Sequence, residues 1–432
     1  MKRSIGPGML VIALTGFATQ AEAQSWPPPH YTVINLGTLG GSQSNGYGGV
    51  TNNGWVTGDS FLKGDATEHA FVWRDGAMTD LGTVGGTNSG AAYPSKDNHG
   101  LIVGQAQGSQ IDPLGEYWGV ASVCIIKGLP APCEGYQHVV LGYLWQDGVM
   151  AALPTLGGNN SSAFGVNNRG QVVGLAETAK KDLKNCVSPQ KLVYKAVVYG
   201  PNRGEVHELP TFPGDAVAGA TAINDSGDVV GFSGNCAVPV FPSGVRAMLW
   251  RNGSAFNLGG LGGVLNNVAN AINNGGQIVG TSDLPGDTIT HAFLWQRGAM
   301  TDLGALPGDV VSIANDINAR GQVVGASCDA NFSCRAWLWD DGVMIDLNTL
   351  IPPDSPLYLT WGGGINDRGE IAGSAVLKSN PNEAPAFLAI PAPAAQIAGD
   401  LVRKVVLPEA IRASLQRRLR IRHLGNGQSA QQ

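Results

Sequence analysis

The sequence predicts an all-β chain whose body is a single seven-bladed β-propeller of four-stranded antiparallel blades, and three observations carry that expectation. One hairpin motif, apolar-Asn-x-x-Gly-x-apolar-apolar-Gly, recurs along the chain. Two further motifs follow it in fixed order, so each unit offers four short strands. The series opens on a lone fourth strand and ends on a unit that lacks one. Composition agrees: 62 glycines and 14% charged residues describe a chain rich in turns and poor in charged surface helices.

The hairpin is clearest at Val166-Asn167-Asn168-Arg169-Gly170-Gln171-Val172-Val173-Gly174 and recurs at Ile223-Asn224, Ile272-Asn273, Ile317-Asn318 and Ile365-Asn366. Its turn glycines fall at 54, 100, 170, 227, 276, 321 and 369, a spacing of 45 to 70 residues that suits propeller blades. The Asn side chain caps the turn and the Gly takes positive φ. We label the strand before this turn A and the one after it B.

Strand C is a short apolar run ending in an aromatic residue before a Gly turn, as in His69-Ala70-Phe71-Val72-Trp73 with Gly76 and His291-Ala292-Phe293-Leu294-Trp295 with Gly298. Trp145, Trp250 and Trp339 hold the aromatic place in other copies, with Tyr199 in the third and Ala389 in the last. Strand D reads Met78-Thr79-Asp80-Leu81-Gly82 and keeps its leucine at 36, 81, 153, 209, 258, 303 and 347. The chain opens with D alone, at residues 31–36, and closes with A, B and C over 358–390. The leading strand is therefore expected to complete the last blade, leaving no open sheet edge.

Met1-Lys2-Arg3, an apolar stretch to about Phe17 and Ala21-Glu22-Ala23 compose a secretory signal peptide over residues 1–23, with Gln24 as first mature residue. The propeller is assigned to 24–393, and 394–432 to a linker and a basic helical tail. No later stretch reaches the length of a transmembrane helix, so a secreted location, periplasmic or extracellular, is expected. The formal charge of −6 is uneven. Residues from 396 onward carry seven Lys/Arg against Asp400 and Glu409, a net +5, which leaves −11 on the rest. An acidic body argues against nucleic acid as a partner.

Six cysteines in an exported chain suit three disulfides. Proximity pairs Cys124 with Cys133 and Cys328 with Cys334, leaving Cys186 with Cys236 across adjacent repeats, although six cysteines allow fifteen pairings. No Cys or His spacing fits a metal site. All six lie in B–C loops, which share one face with the D–A loops. That face also holds the insertions at 107–137, 178–192 and 233–245. Variable loops on a rigid scaffold commonly carry binding.

Within that face Tyr117 and Trp118, with Asp112 and Glu116 nearby, offer aromatic planes and carboxylates suited to a sugar, or else a small core for the insertion. Asp215 and Asp309 belong to recurring Pro-Gly-Asp segments, with Asp287 a third. They could ring the channel mouth as Ca²⁺ ligands or acid/base groups, but ordinary turn chemistry is the preferred reading. Asn270, Asn315 and Asp316 on A strands are candidates to face the channel, although Asn, Gly and Ala there more often signal tight packing around the axis. Four residues before the C-strand aromatic stand His69, Lys195, Arg246, His291 and Arg335. A basic residue repeated around a ring reads as packing or pairing, not catalysis. In the tail, Ile411, Leu415 and Leu419 make an apolar stripe that could dock on the acidic propeller, on a partner or on an anionic membrane.

The His-Ala-Phe-x-Trp strand, the Thr-Asp-Leu-Gly-x-x-Gly-Gly segment and the Ile-Asn-x-x-Gly-Gln-Val-Val-Gly hairpin resemble the extracellular HAF repeat of bacterial proteins, over about residues 31–393. Only the first and fifth copies keep the His of strand C. The resemblance implies export and a repeat fold, and no reaction. The function expected is a secreted binding or scaffold module taking a glycan or protein through its loop face. A polysaccharide lyase or hydrolase at the channel mouth, or a surface protein without a pocket, are the alternatives. No hydrolase elbow, zincin, P-loop or dinucleotide motif occurs.

Overall fold

The computed structural model describes residues 29–91, 97–118, 138–200, 204–237, 245–392 and 407–412. The signal segment, Cys124 and Cys133, and most of the tail lie outside them. Seven separate four-stranded antiparallel sheets form seven blades, six of them with strands in the order A-B-C-D. Blade 5 is representative: A is Asn267–Ile272, B Ile278–Asp283, C Thr290–Gln296 and D Ala299–Gly304. The seventh sheet has the order D-C-B-A, its D strand being His30–Gly37 at the start of the described chain. It pairs antiparallel with Ala386–Ala392, His30 opposite Ala392. The ring closes as the lone leading strand predicts.

The core lies between blades rather than inside any one of them. Strand B of blade 5 is buried along its whole length, and Ala292 and Phe293 of its C strand are fully buried. Sheets stacked face to face around an axis bury both surfaces, so their central strands read as continuous apolar runs. D strands are largely exposed, as at Ser254–Asn257.

The final glycine of the hairpin motif has a separate cause from the turn glycine. Gly170 in the turn sits at φ +72°, whereas a Cβ on Gly174 would overlap the carbonyl oxygen of Ser162 on the neighbouring A strand. The same overlap, with the facing A-strand carbonyl, arises at the matching glycine of every blade, Gly280 against Val268 among them. The A strands are bulged beside this contact, at Ala220/Ala222, Ala269/Ala271 and Ala314/Asp316. A bulge thrusts one carbonyl toward strand B, and only glycine leaves room for it.

Candidate functional site

The propeller has two unlike faces. On the A–B turn face the first residue of the turn does more than cap in five of the seven blades. Asn273 Oδ1 accepts from Gln277 N at 3.0 Å, the local cap, while its Nδ2 donates to Asn318 O of the next blade at 2.9 Å. Asn167, Asn224, Asn318 and Asn366 donate in the same way to the following turn, the last of them to Thr51 of blade 1.

The second residue of each turn forms an inner ring. Asn52 N donates to Asn98 Oδ1, Asn98 N to Asn168 Oδ1, Asn168 N to Asp225 Oδ1 and Asp225 N to Asn274 Oδ1, at 2.9–3.0 Å. Ala319 N then donates to Asp367 Oδ1 and Asp367 N to Asn52 Oδ1. Ala319 has no acceptor for Asn274 and interrupts the ring. These residues line a depression of about 510 Å³, its open mouth included. Burial alone would raise the Asp225 carboxyl, but the amide donors of Asn168 and Asn274 outweigh it and hold it below the usual carboxylate range. The Asn-Asn or Asn-Asp doublet was visible in the repeat; the ring it builds was not expected.

Deeper along the axis, Asn270 and Asn315 occupy the bulges of their A strands. Asn270 Nδ2 donates to Ala314 O and Asn315 Nδ2 to Gly362 O, both at 2.7 Å. Thr221 makes the same tie to Ala269 O. Asp316 is fully buried and accepts from Ile317 N and Ile365 N. These three predicted channel residues thus hold neighbouring blades together, because a bulge turns the side chain toward the next A strand.

The remaining candidate residues lie on the loop face. Trp118 is 2% exposed and meets Tyr194 edge-on at 5.8 Å, within a cluster that includes Leu175, Phe232 and Val268. Its faces are packed, so it presents no plane to a sugar; Tyr117 is half-buried beside it. Asp215 pairs with Arg246, and Asp309 with Arg335 at 2.9 Å. Asp287 accepts from Val264 N and Leu265 N. The Pro-Gly-Asp carboxylates therefore lock turns instead of ringing the mouth. The basic position of strand C pairs with strand D, His69 with Asp80 at 2.8 Å, His291 with Asp302 at 3.0 Å and Arg335 with Asp346 at 3.1 Å. Among the described residues no group of three or more His, Cys, Asp or Glu is placed to hold a metal ion.

Two disulfides staple this face. Cys186–Cys236 joins the B–C loops of blades 3 and 4, and Cys328–Cys334 closes that of blade 6. Beneath the first lies a buried acid cluster that joins Glu116 and Asp112, already candidates, to Glu177, which the sequence did not single out. Glu177 and Glu116 are 0% and 1% exposed, and Gln190 Nε2 bridges them at 2.9 and 3.1 Å. Glu116 Oε1 also accepts from Lys191 N and Leu192 N, and Asn160 Nδ2 reaches both Glu177 and Asp112. Burial and then the neighbouring Glu116 charge push the Glu177 carboxyl up to about 8. Burial likewise raises Glu116.

The opposite half of the face, at blades 6, 7 and 1, has short loops, and the described part of the tail lies on it. Leu407 and Ile411 are 1% and 5% exposed and join a cluster with Tyr47, Val311, Ile313, Tyr358 and Trp361. The stripe's described part thus faces the propeller, not a lipid surface. Burying two aliphatic side chains contributes about 3–6 kcal/mol. That is of the same size as the cost of fixing six backbone residues, about 1 kcal/mol or more each.

No family model and no curated relative matches this chain. Several solved structures resemble it at low identity. The acylaminoacyl peptidase of Pyrococcus horikoshii aligns at 11% identity and TM-score 0.44, over 78% of this chain and 50% of its own. A puromycin-hydrolyzing peptidase of Mycobacterium tuberculosis gives 10% and 0.46, over 84% and 54%. A lectin of Aleuria aurantia in complex with Fucα1-6GlcNAc gives 10% and 0.33, over 72% and 99%. The chain spans about half the length of the two peptidases, and likenesses this distant carry no argument about activity.

Proposed function

We propose that this protein is an exported scaffold whose loop face recognises another protein. The observation that carries the reading is where apolar side chains remain exposed. Among the described residues, six of the nine exposed large hydrophobics, Ile111, Leu183, Val187, Val264, Ile289 and Val310, stand in or at the ends of B–C and D–A loops, and the other three, Val149, Phe256 and Val343, lie in D strands. Among the described residues, none of the exposed large hydrophobics lies in an A–B turn. Aliphatic groups on stapled loops, above a rigid ring, suit the apolar centre of a protein interface. A sugar would call for open aromatic planes and convergent polar groups, and Trp118 and the Pro-Gly-Asp carboxylates are committed elsewhere. Disulfides fit an oxidising compartment, periplasmic or extracellular.

The test is capture from the native envelope with wild type and with Leu183→Glu/Val187→Glu, alongside a glycan screen run with calcium and with EDTA. The reading expects a partner held by wild type, lost by the variant at unchanged Tm, and a blank screen. Equal capture by both proteins would remove the loop face as the recognition surface, and a saturable glycan signal would replace the protein partner with a carbohydrate.

A further inference from the structure

The tail segment touches the propeller through side chains more than through backbone. The helical residues described, 409–412, include a bond from Arg412 N to Pro408 O at 2.9 Å. Leu407, just before the helical residues, and Ile411 within them, four residues apart, both enter the hollow at blades 6, 7 and 1. Tyr47 and Trp361 meet edge-on in that cluster, ring centroids 5.7 Å apart. Arg412 Nε is buried there without an acceptor. The docked state is therefore imperfect in its polar contacts, and its apolar gain is matched by the ordering it requires. A hollow filled so marginally is open to exchange. Charge supports the same occupant class, since the sequence from 396 onward is net +5 and the rest −11.

We propose that this hollow is a recognition site for a basic helical segment of a partner protein carrying two aliphatic residues four apart, and that the chain's own tail occupies it as a removable cap. The inference rests on the loop face being a recognition surface and adds a second subsite, away from the blade 3 loop that bears Leu183 and Val187. A tethered segment competes at an effective concentration in the millimolar range. A tail docked about 90% of the time would then weaken an external segment about tenfold.

The experiment uses the full chain and a fluorescein-labelled synthetic peptide spanning residues 403–422, followed by anisotropy. Leu407→Asp/Ile411→Asp in the protein frees the hollow, and trypsin cleavage after Arg412 reports release of the tail. The expected result is binding to the variant with a Kd of about 10–300 µM, at least tenfold weaker binding to wild type, and none for a peptide carrying the same two aspartates. Tm should stay within about 2 °C of wild type, because the ring closes without the tail. Equal binding by the two proteins, no binding to a variant whose tail trypsin removes, or a tail that stays protected in the variant would each overturn the proposal. Envelope capture through Leu183 and Val187 is scored separately, so either reading can fail alone.

Discussion

The two faces of this ring are built on opposite plans. The turn face repeats one short device around the axis, an Asn whose oxygen caps its own turn and whose amide reaches the next. The loop face repeats nothing: its insertions differ in length, and it relies on covalent staples, buried carboxyls and a borrowed tail. The contrast teaches that cohesion and recognition are separated in space. A face where most polar groups are already committed to a neighbour has little left to offer a ligand, while a face assembled from unrelated loops can vary without opening the ring.

The sharpest way to break that contrast is to remove its covalent part. Cys186→Ala with Cys236→Ala opens a loop of 50 residues and should lower stability by about 4 kcal/mol, against about 2 for Cys328→Ala with Cys334→Ala, whose separation is 6. Urea titration of both variants measures the difference, and equal losses would mean that loop length is not what these staples control.

The acid cluster adds a pH dependence to the same face. Folded Glu177 holds its proton to about pH 8, whereas the unfolded chain releases it near the usual 4.5. Between those values the folded state binds more protons, so the contribution is whole below about pH 4.5 and falls as pH rises toward 8. Glu177→Gln, a mimic of the protonated form, should gain on wild type by at most about 1.4 kcal/mol per pH unit across that window and level off above it. A pH-independent difference in denaturation midpoints would show that Glu177 is ionised in the fold.

On the turn face, Asn273→Ala removes the donor to Asn318 O and the acceptor for Gln277 N and should cost about 2 kcal/mol in the same titration. A loss confined to a few tenths would reduce the clasp to a simple turn cap. Smallest of all, Ala319→Asn supplies the acceptor that Asn274 lacks and should raise stability by about 1 kcal/mol. No gain in Tm would show that water already serves that amide.

Much of this was legible in the sequence where one residue's role is local. Gly170 announces its turn because positive φ is a property of the residue itself, and the lone strand at 30–37 announces closure because strand types can be counted. Cys186 and Cys236 could be paired by elimination. Roles that depend on the neighbouring blade were opaque. Asn270 and Asn315 read as channel lining or as tight packing around the axis, since nothing in a linear pattern reveals that a bulge aims them sideways. Trp118 read either as a sugar platform or as part of its insertion's own small core; its cover includes Tyr194, Phe232 and Val268 of other blades. Glu177 lies within an ordinary-looking strand, and only the fold brings Glu116 to it.

The pairing of His30 with Ala392 sets an order on the protein's birth. The strand made first has no partner until the last blade exists, so a ribosome or export channel delivers six and three-quarter blades before the seam can be joined. Until then blade 7 carries a bare edge, and contacts spanning the whole chain are slow to find. A protein sewn shut only at its final stitch has no closed ring until its last blade has folded. It is also one whose nascent form must be kept from pairing with its siblings.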